Sequence, residues 1–363
     1  MWVDRRFAGL EQVWLQPPRD AFVRVPDEIL KTAVFLGLDS PSGTEYGGTG
    51  YVVSLVHSPG PWTTESAGTI NAARYPIMFL VTAAHVAEKL EGFDFYIRAN
   101  YKDGSLAEIK QDCSTRWWYH PSEREAVDAA VMVLPFTEVN SLDIVPIPTA
   151  MFAKDEIVGS QNLGIGDEVF IAGLFKNAKG AKKNIPIIRI GNVAMMPGEK
   201  IFFPVEEKPK QSLYANLLEA RSTGGLSGSP VFIRETVQTR WGFDSSGGPM
   251  GSAARFSSGS FYFFGSMIGQ WRVPVAFGDL KEELVNMGIA PMVPAQKIFE
   301  ILTQPEMEEV MNTLHKQIRQ EAQRKDGIPC EDGDFGGSKD RPFTKEDFED
   351  ALKKASRKKS GKT

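Results

Sequence analysis

Residues 220–233 read Ala-Arg-Ser-Thr-Gly-Gly-Leu-Ser-Gly-Ser-Pro-Val-Phe-Ile, and this stretch decides the fold. A turn rich in glycine and serine leads directly into an apolar run that is typical of a buried β-strand. Glycines before and after Ser227 let the backbone bend where a Cβ atom would clash. Such a bend aims the amide N–H groups of Gly225 and Ser227 at one point, as stabilising an oxyanion requires. The stretch therefore predicts an exposed serine nucleophile with an oxyanion hole formed by these two amides.

A serine turn needs a base, and two other stretches supply a base and an acid. Residues 79–86 read Phe-Leu-Val-Thr-Ala-Ala-His-Val, with His85 at the end of an apolar run. Residues 126–134 read Ala-Val-Asp-Ala-Ala-Val-Met-Val-Leu, with Asp128 at the head of another. An aspartate that enters a buried strand is costly unless it has a partner. We therefore expect His85, Asp128 and Ser227 to act as base, orienting acid and nucleophile.

Each of these residues, taken alone, also fits a structural role. His85 is compatible with a satisfied core histidine, Asp128 with a cap at a strand end, and Ser227 with an ordinary turn hydroxyl. Their order along the chain favours the catalytic interpretation. The nucleophile comes first in α/β-hydrolases and the acid comes first in subtilisins, whereas chymotrypsin-like proteases have the order histidine, aspartate, serine.

Three motifs carry a resemblance to a known family. They are Thr-Ala-Ala-His at 82–85, Asp-Ala-Ala-Val at 128–131 and Gly-Leu-Ser-Gly-Ser-Pro at 225–230. In this order they resemble the motifs of the trypsin/chymotrypsin-like serine peptidases, especially the bacterial disulfide-free branch with V8-type glutamyl endopeptidases and HtrA-like proteases as relatives. The resemblance implies an all-β fold of two six-stranded antiparallel β-barrels with short C-terminal helices. It places the active site in the cleft between the barrels.

The resemblance also implies where a substrate binds. Arg221 stands where the family has the base of its primary specificity pocket, so an arginine there would select acidic side chains or fill the pocket. An ion pair with a purely structural role is the alternative. The family pairs the substrate backbone with a cleft strand, which makes Gly269, Gln270 and Trp271 candidate substrate-binding residues.

Leu226 departs from the digestive members of the family, which carry an aspartate at this position. That aspartate pairs with a newly cut N-terminus during zymogen activation. Without the carboxylate this activation should not operate, so we expect a chain that is active as made, or one that is gated by a partner or by its own tail.

The resemblance covers one β-rich unit, which implies a single peptidase domain. We predict an N-terminal extension at residues 1–30 and a peptidase domain at 31–302, with barrels at about 31–140 and 160–302.

The C-terminal region departs from a minimal protease. Met307, Val310, Met311 and Leu314 recur at helical spacing, which predicts an amphipathic helix at 303–325. That helix is expected to pack on the barrel, and the alternative is a regulatory partner bound through residues 303–363. Residues 326–363 are predicted to form a charged, largely disordered tail.

The whole-chain composition limits the classes of partner. The net charge of −5 gives no electrostatic case for nucleic acid or an anionic membrane. Only two cysteines, Cys113 and Cys330, occur, which favours a reducing compartment, and the charged first segment is unlike a signal peptide. We therefore expect a cytoplasmic protein that needs no cofactor and no metal.

These features predict a serine endopeptidase that hydrolyses peptide bonds through an acyl-enzyme intermediate. The alternative from another class is a catalytically silent or gated scaffold that binds peptides or partner proteins. An esterase with the same triad differs only in its leaving group. Access of solvent to Ser227 separates the scaffold from the enzyme.

Overall fold

The fold is given by a computed structural model. It describes residues 25–55, 77–134, 139, 141–205, 208–220, 224–235, 238–239, 242–243, 249–250, 254–255, 260–275 and 283–314. The helices are α1 (Asp27–Leu30), α2 (Ala84–Leu90), α3 (Asp155–Gln161), α4 (Ala295–Leu302) and α5 (residues 305–314). None of the helices in the described ranges has the length and apolar composition needed to span a bilayer.

The first half of the chain forms an eight-stranded sheet. Its strands are β1 (Ala33–Ser40), β2 (Gly43–Leu55), β3 (Ile77–Thr82), β4 (Phe95–Asn100), β5 (Leu106–Gln111), β6 (Trp118–Tyr119), β7 (Ala130–Leu134) and β8 (Ile147–Pro148). They lie in the order β5-β4-β1-β2-β3-β7-β6, and β8 pairs with β2 in parallel. Strands β3 and β7 are buried along their whole length, as expected for continuous runs of β-branched, aromatic and other apolar residues.

The second half forms a closed barrel with short hairpins attached. Its strands are β9 (Glu168–Gly173), β10 (Ile187–Met195), β11 (Lys200–Val205), β12 (Lys208–Tyr214), β13 (Asn216–Glu219), β14 (Pro230–Arg234), β15 (Gln238–Thr239), β16 (Gly242–Phe243), β17 (Pro249–Met250), β18 (Ala254–Arg255), β19 (Phe261–Met267), β20 (Arg272–Val275), β21 (Glu283–Asn286) and β22 (Ile289–Pro294). The barrel closes in the order β10-β13-β22-β19-β14-β9, and β11-β12, β15-β18, β16-β17 and β20-β21 pair as hairpins outside it.

One apolar cluster joins the sheet to the barrel. The rings of Phe152 and Phe263 lie 4.6 Å apart between centroids, and the ring of Tyr51 lies 5.2 Å from that of Phe263. Helices α4 and α5 cover this cluster with buried residues, among them Met307 and Leu314 of α5. The predicted all-β fold with short C-terminal helices is confirmed. Of the two predicted six-stranded barrels, the second is seen as a closed six-stranded barrel, and the first unit forms an eight-stranded sheet.

Parts of the predicted domain organisation lie outside the described residues. The N-terminal extension is described only from residue 25, and the region predicted as helix at 303–325 is described to residue 314. The tail at 326–363 also lies outside the described ranges.

Strand order fixes what surrounds the start of β14. Strand β14 pairs with β9 on one side and with β19 on the other, antiparallel in both cases. Pro230, the first residue of β14, therefore lies beside the C-terminal ends of both neighbours. The turn that precedes Pro230 is flanked by the segment after β9 on one side and by the segment after β19 on the other.

Candidate active site

His85 lies in the first turn of α2, directly after the buried strand β3. Its backbone N–H donates to Asp128 Oδ1 at 2.9 Å, and its ring Nδ1 lies 2.8 Å from Asp128 Oδ2. A carboxylate only accepts hydrogen bonds, so Nδ1 carries the proton in this pair. The arrangement leaves Nε2 of the neutral ring as the basic nitrogen, which a general base requires.

Asp128 precedes β7, between two fully buried residues, and its side chain is 11% exposed. One of its oxygens accepts an N–H that the first turn of α2 cannot satisfy internally, and the other orients the imidazole. From sequence alone, a cap and a catalytic acid are alternative roles for this aspartate. In the structure the same carboxylate provides both contacts.

Opposing effects act on the pKa of His85. Burial lowers it, but the charge of Asp128 and the hydrogen bond to that carboxylate outweigh burial, so the pKa lies above its ordinary value. The imidazole is still 40% exposed and can reach a substrate. His85 is therefore poised to accept a proton and to be stabilised once charged.

The serine turn, residues 224–229, depends on glycine at two positions. Gly225 has φ of 100° and Gly228 has φ of 81°, values that residues with a Cβ rarely adopt. The N–H of Ser229 closes the turn by donating to the carbonyl of Leu226 at 2.9 Å. Ser227 stands at the tip and is partly exposed.

The serine turn is docked on the strand and loop that lead to His85. A Cβ on Gly228 would lie 2.2 Å from the carbonyl oxygen of Thr49 and 2.9 Å from the backbone nitrogen of Ala83. Ala83 lies two residues before His85. The structure thus brings Asp128 and His85 into direct contact and brings the turn that carries Ser227 against the backbone beside them.

Thr49 is the site residue that sequence reasoning missed. It is fully buried in β2, and its N–H donates to the carbonyl of Ser227 at 2.9 Å. Its hydroxyl donates to the carbonyl of Gly225 at 2.7 Å and accepts the N–H of Leu174 at 2.9 Å. Its carbonyl accepts the hydroxyl of Thr82 at 2.7 Å. The one signal in the sequence is a hydroxyl residue between glycines at the start of an apolar strand.

The two predicted oxyanion amides have no competing acceptor among the residues that the structure describes. Within the described ranges, the N–H groups of Gly225 and Ser227 donate to no carbonyl or side chain. Thr49 holds the carbonyls of both residues, and so fixes the peptide planes that follow Gly225 and Ser227 in the turn. Two N–H groups in a turn held in this way, beside a partly exposed serine, are of the kind that can receive the negative charge of a tetrahedral intermediate.

The predicted substrate-binding residues are placed only in part. Gly269, Gln270 and Trp271 follow β19, and the N–H of Gly228 donates to the carbonyl of Met267 just before them at 2.8 Å. Trp271 donates its backbone N–H towards β22, whereas Gly269 has no hydrogen-bonding partner within the described ranges. The segment therefore runs past the serine turn. Arg221 lies outside the described residues.

Other titratable groups are engaged away from the site. The His120 ring is bonded through Nε2 to Glu300 at 2.8 Å and through Nδ1 to the N–H of Glu123 at 3.1 Å. Cys113 is an exposed free thiol whose sulfur lies within 4.8 Å of carboxylate oxygens of Asp94 and Asp112. The Asp94 carboxylate is already bonded to Lys110 and to the N–H of Cys113, so this surface group gives no reason to assign a metal site.

Comparison with known proteins yields only distant structural likeness. No family model and no curated protein matches this sequence. An inactive serine-to-alanine mutant of Rv3671c from M. tuberculosis H37Rv is 15% identical, with 79% of this chain and 95% of that chain covered and a TM-score of 0.37.

Two further structures of the Rv3671c protease are similar to the same degree. An inactive form is 14% identical, with 76% of this chain and 88% of that chain covered and a TM-score of 0.34. An active form is 15% identical, with 80% and 96% covered and a TM-score of 0.36. Likeness at this level assigns no activity, so any assignment depends on the geometry of the site.

Proposed function

We propose that this chain is a serine endopeptidase in which Ser227 is the nucleophile, His85 the general base and Asp128 the orienting acid. The observation that carries the proposal is the double contact of Asp128 with His85 beside the docked serine turn. The three sequence motifs support placement in the bacterial, V8-type and HtrA-like branch of the trypsin-like family.

The chemistry follows from the roles of these groups. Ser227 Oγ attacks the substrate carbonyl carbon while its proton passes to Nε2 of His85. The N–H groups of Gly225 and Ser227 receive the oxyanion. The imidazolium then gives its proton to the leaving amine as the C–N bond breaks, which leaves an ester on Ser227. A water molecule, deprotonated by His85, hydrolyses that ester and restores the serine hydroxyl.

Substrate is proposed to add antiparallel along residues 269–271. The backbone groups of Gly269, which have no hydrogen-bonding partner among the described residues, support this alignment, since an extended peptide recognises a strand edge through its main chain. Arg221 remains the proposed base of the pocket for the residue before the cut. The low cysteine content of the chain supports the cytoplasm as the proposed location.

The rival proposal, a silent scaffold, requires an occluded nucleophile. Ser227 is partly exposed and the imidazole of His85 is 40% exposed, which favours the enzyme. Peptide and ester substrates of the same acyl group would separate a peptidase from an esterase, because an amine is the poorer leaving group.

The test is labelling with a fluorophosphonate, which reacts only with an activated serine. We expect one adduct on the full-length protein and none on Ser227→Ala or His85→Ala. Ser229→Ala is the matched control, because Ser229 lies two residues away and is fully buried, and it should label like the wild type. A folded wild-type protein that takes no adduct, or that labels equally after Ser227→Ala, would refute the proposal.

A further inference from the structure

A group of lysines lies on the connection between β9 and β10. Residues 174–185, called here the lysine loop, read Leu-Phe-Lys-Asn-Ala-Lys-Gly-Ala-Lys-Lys-Asn-Ile and contain no acidic residue. Lys176, Lys182 and Lys183 are exposed, and Lys179 is partly exposed. This basic stretch stands out in a chain whose net charge is −5.

The lysine loop borders the serine turn. The N–H of Leu174 is bonded to the Thr49 hydroxyl that also contacts Gly225. Lys176 Cγ lies 3.1 Å from the point where a Cβ on Gly225 would stand. The stem of Lys176 therefore lines the turn next to a proposed oxyanion donor. Because β9 and β19 flank β14 on opposite sides, this edge lies across the turn from residues 269–271.

The backbone of the lysine loop is fixed to the first sheet. Arg98, a buried residue of β4, donates to the carbonyls of Gly180 and Lys183. Asn100 and Asn184 exchange two hydrogen bonds of 2.9 and 2.7 Å. Because these hydrogen bonds hold the backbone of the loop, its lysines project from fixed positions.

The ammonium groups of the lysine loop form no ion pair with the residues that the structure describes. Within the described part of the chain, none of its four lysines lies within 4 Å of a carboxylate, whereas Lys31, Lys110, Lys200 and Lys297 all do. Lys179 contacts the ring of Tyr46, with Nζ 4.9 Å from the centroid. Glu108 bonds to the hydroxyl of the same tyrosine and to Arg98. Four like charges on one loop, without a direct ion pair among the described residues, produce a positive field that attracts acidic ligands.

We propose that the lysine loop binds acidic side chains of the substrate on the leaving-group side of the scissile bond. The inference rests on the proposed function, in which the substrate runs antiparallel to residues 269–271 and is cut at Ser227. Residues after the cut then continue across the serine turn towards Lys176. Aspartate or glutamate in these positions meets the exposed ammonium groups.

The test separates binding from catalysis. Two fluorescent peptides share a neutral first half and end in either Asp-Glu-Asp or Asn-Gln-Asn, and both are titrated against the Ser227→Ala protein. We expect the acidic peptide to bind about three- to fivefold more tightly at low ionic strength, as for exposed charge pairs. Raising the salt to 0.5 M should remove the difference, because the Debye length falls to a few ångströms.

Matched variants locate the effect. Lys176→Gln should reduce the preference for the acidic peptide, and Lys176→Gln with Lys182→Gln should abolish it. Lys31 lies between α1 and β1 and forms an exposed ion pair with Asp143. Lys31→Gln removes the same charge as Lys176→Gln and should leave the preference for the acidic peptide unchanged. Equal affinity of the two peptides, or an equal effect of Lys31→Gln, would overturn the inference.

Turnover by the wild type distinguishes this inference from the proposed function. Peptides with acidic residues placed after the cut should show the Lys176-dependent gain in kcat/KM, and those with acidic residues only before the cut should not. Cleavage without that gain overturns the inference alone. If the acidic peptide binds in a Lys176-dependent way but the wild-type protein is not labelled by fluorophosphonate, the proposed function is wrong. The assignment of the lysine loop to residues after the cut is then wrong as well.

Discussion

Replacing Thr49 with valine tests whether one buried hydroxyl fixes the serine turn. Thr49→Val keeps the shape of the side chain and the backbone N–H that donates to Ser227. It removes the hydroxyl that donates to the carbonyl of Gly225 at 2.7 Å and accepts the N–H of Leu174 at 2.9 Å. Both lost partners face a fully buried position, so water cannot replace the hydroxyl easily.

The expected size of the effect follows from those two hydrogen bonds. A buried group left without its partner costs about 1–3 kcal/mol, so Thr49→Val should lower the free energy of unfolding by about 2–4 kcal/mol. Removing an oxyanion donor outright costs about 10²–10³ in kcat. Valine only loosens the support of the proposed donors, so we expect kcat to fall on the order of 10- to 100-fold, with KM changing less.

The assay compares Thr49→Val with Thr49→Ser. Serine keeps the oxygen and loses one methyl group, which costs about 1 kcal/mol of stability and should leave kcat within a few-fold of the wild type. Peptide turnover, the rate of fluorophosphonate labelling and thermal unfolding are measured on all three proteins. Valine and serine variants with equal kcat, or a valine variant that is destabilised but fully active, would contradict a positioning role for the hydroxyl.

Further predictions concern the same site and its surroundings. Activity should rise with pH through the raised pKa of His85, above about 6.5, because the neutral ring is the base. The stability that the charged His85–Asp128 pair contributes is present below about pH 6.5 and is lost as the pH rises through the pKa of His85 in the folded protein. Asp128→Asn should lower the pKa of His85, as measured by NMR titration. The same variant should lower kcat on the order of 10⁴-fold. Gly228→Ala should fail to fold or unfold at much lower temperature, because its Cβ would meet Thr49 and Ala83, whereas Gly224→Ala has open space and should unfold like the wild type. His120→Ala should lower the free energy of unfolding by about 2–4 kcal/mol, because the ring bonds to Glu300 and to the N–H of Glu123. It should not change the rate of fluorophosphonate labelling of the folded protein, since both partners lie outside the site.

The strands that carry the site could be predicted because their own residues are enough to indicate buried strands. Residues 77–82 and 130–134 are continuous apolar runs, and both form fully buried strands. The glycine turn before Pro230 is equally clear, since its positive φ angles require glycine. What local pattern cannot reveal is which backbone the turn will meet.

Elements without a strong pattern were missed for physical reasons. Helix α3 lies almost entirely between the two predicted barrels and was not predicted, because its sequence Asp-Glu-Ile-Val-Gly-Ser-Gln contains poor helix formers. It is stabilised by Asn162, which adopts a left-handed conformation at its end, and by packing of Ile157 and Val158 on the core. The hairpin β11–β12 was missed because prolines and charges interrupt its two strands, which pair with each other as a separate two-stranded sheet.

Thr49 was missed because its role depends on contacts between distant parts of the chain. The hydroxyl reaches a carbonyl 176 residues further along and an N–H 125 residues further along. No spacing rule connects such positions. A resemblance in motif order can identify a catalytic set, but the group that supports the oxyanion turn becomes visible only when the two strand units are in contact.

The way the serine turn is fixed also bears on how the chain would be activated. In the digestive members of the family that the motifs resemble, an aspartate before the serine pairs with a newly cut N-terminus. Here that position is Leu226, which is fully buried and lies against Gly173 at the end of β9. The turn is fixed instead by the hydroxyl and N–H of Thr49, which the folded chain already contains. Because neither contact requires a free amine or a titrating carboxylate, a chain cut nowhere should present the same turn. We therefore expect the full-length protein to label with fluorophosphonate without trimming.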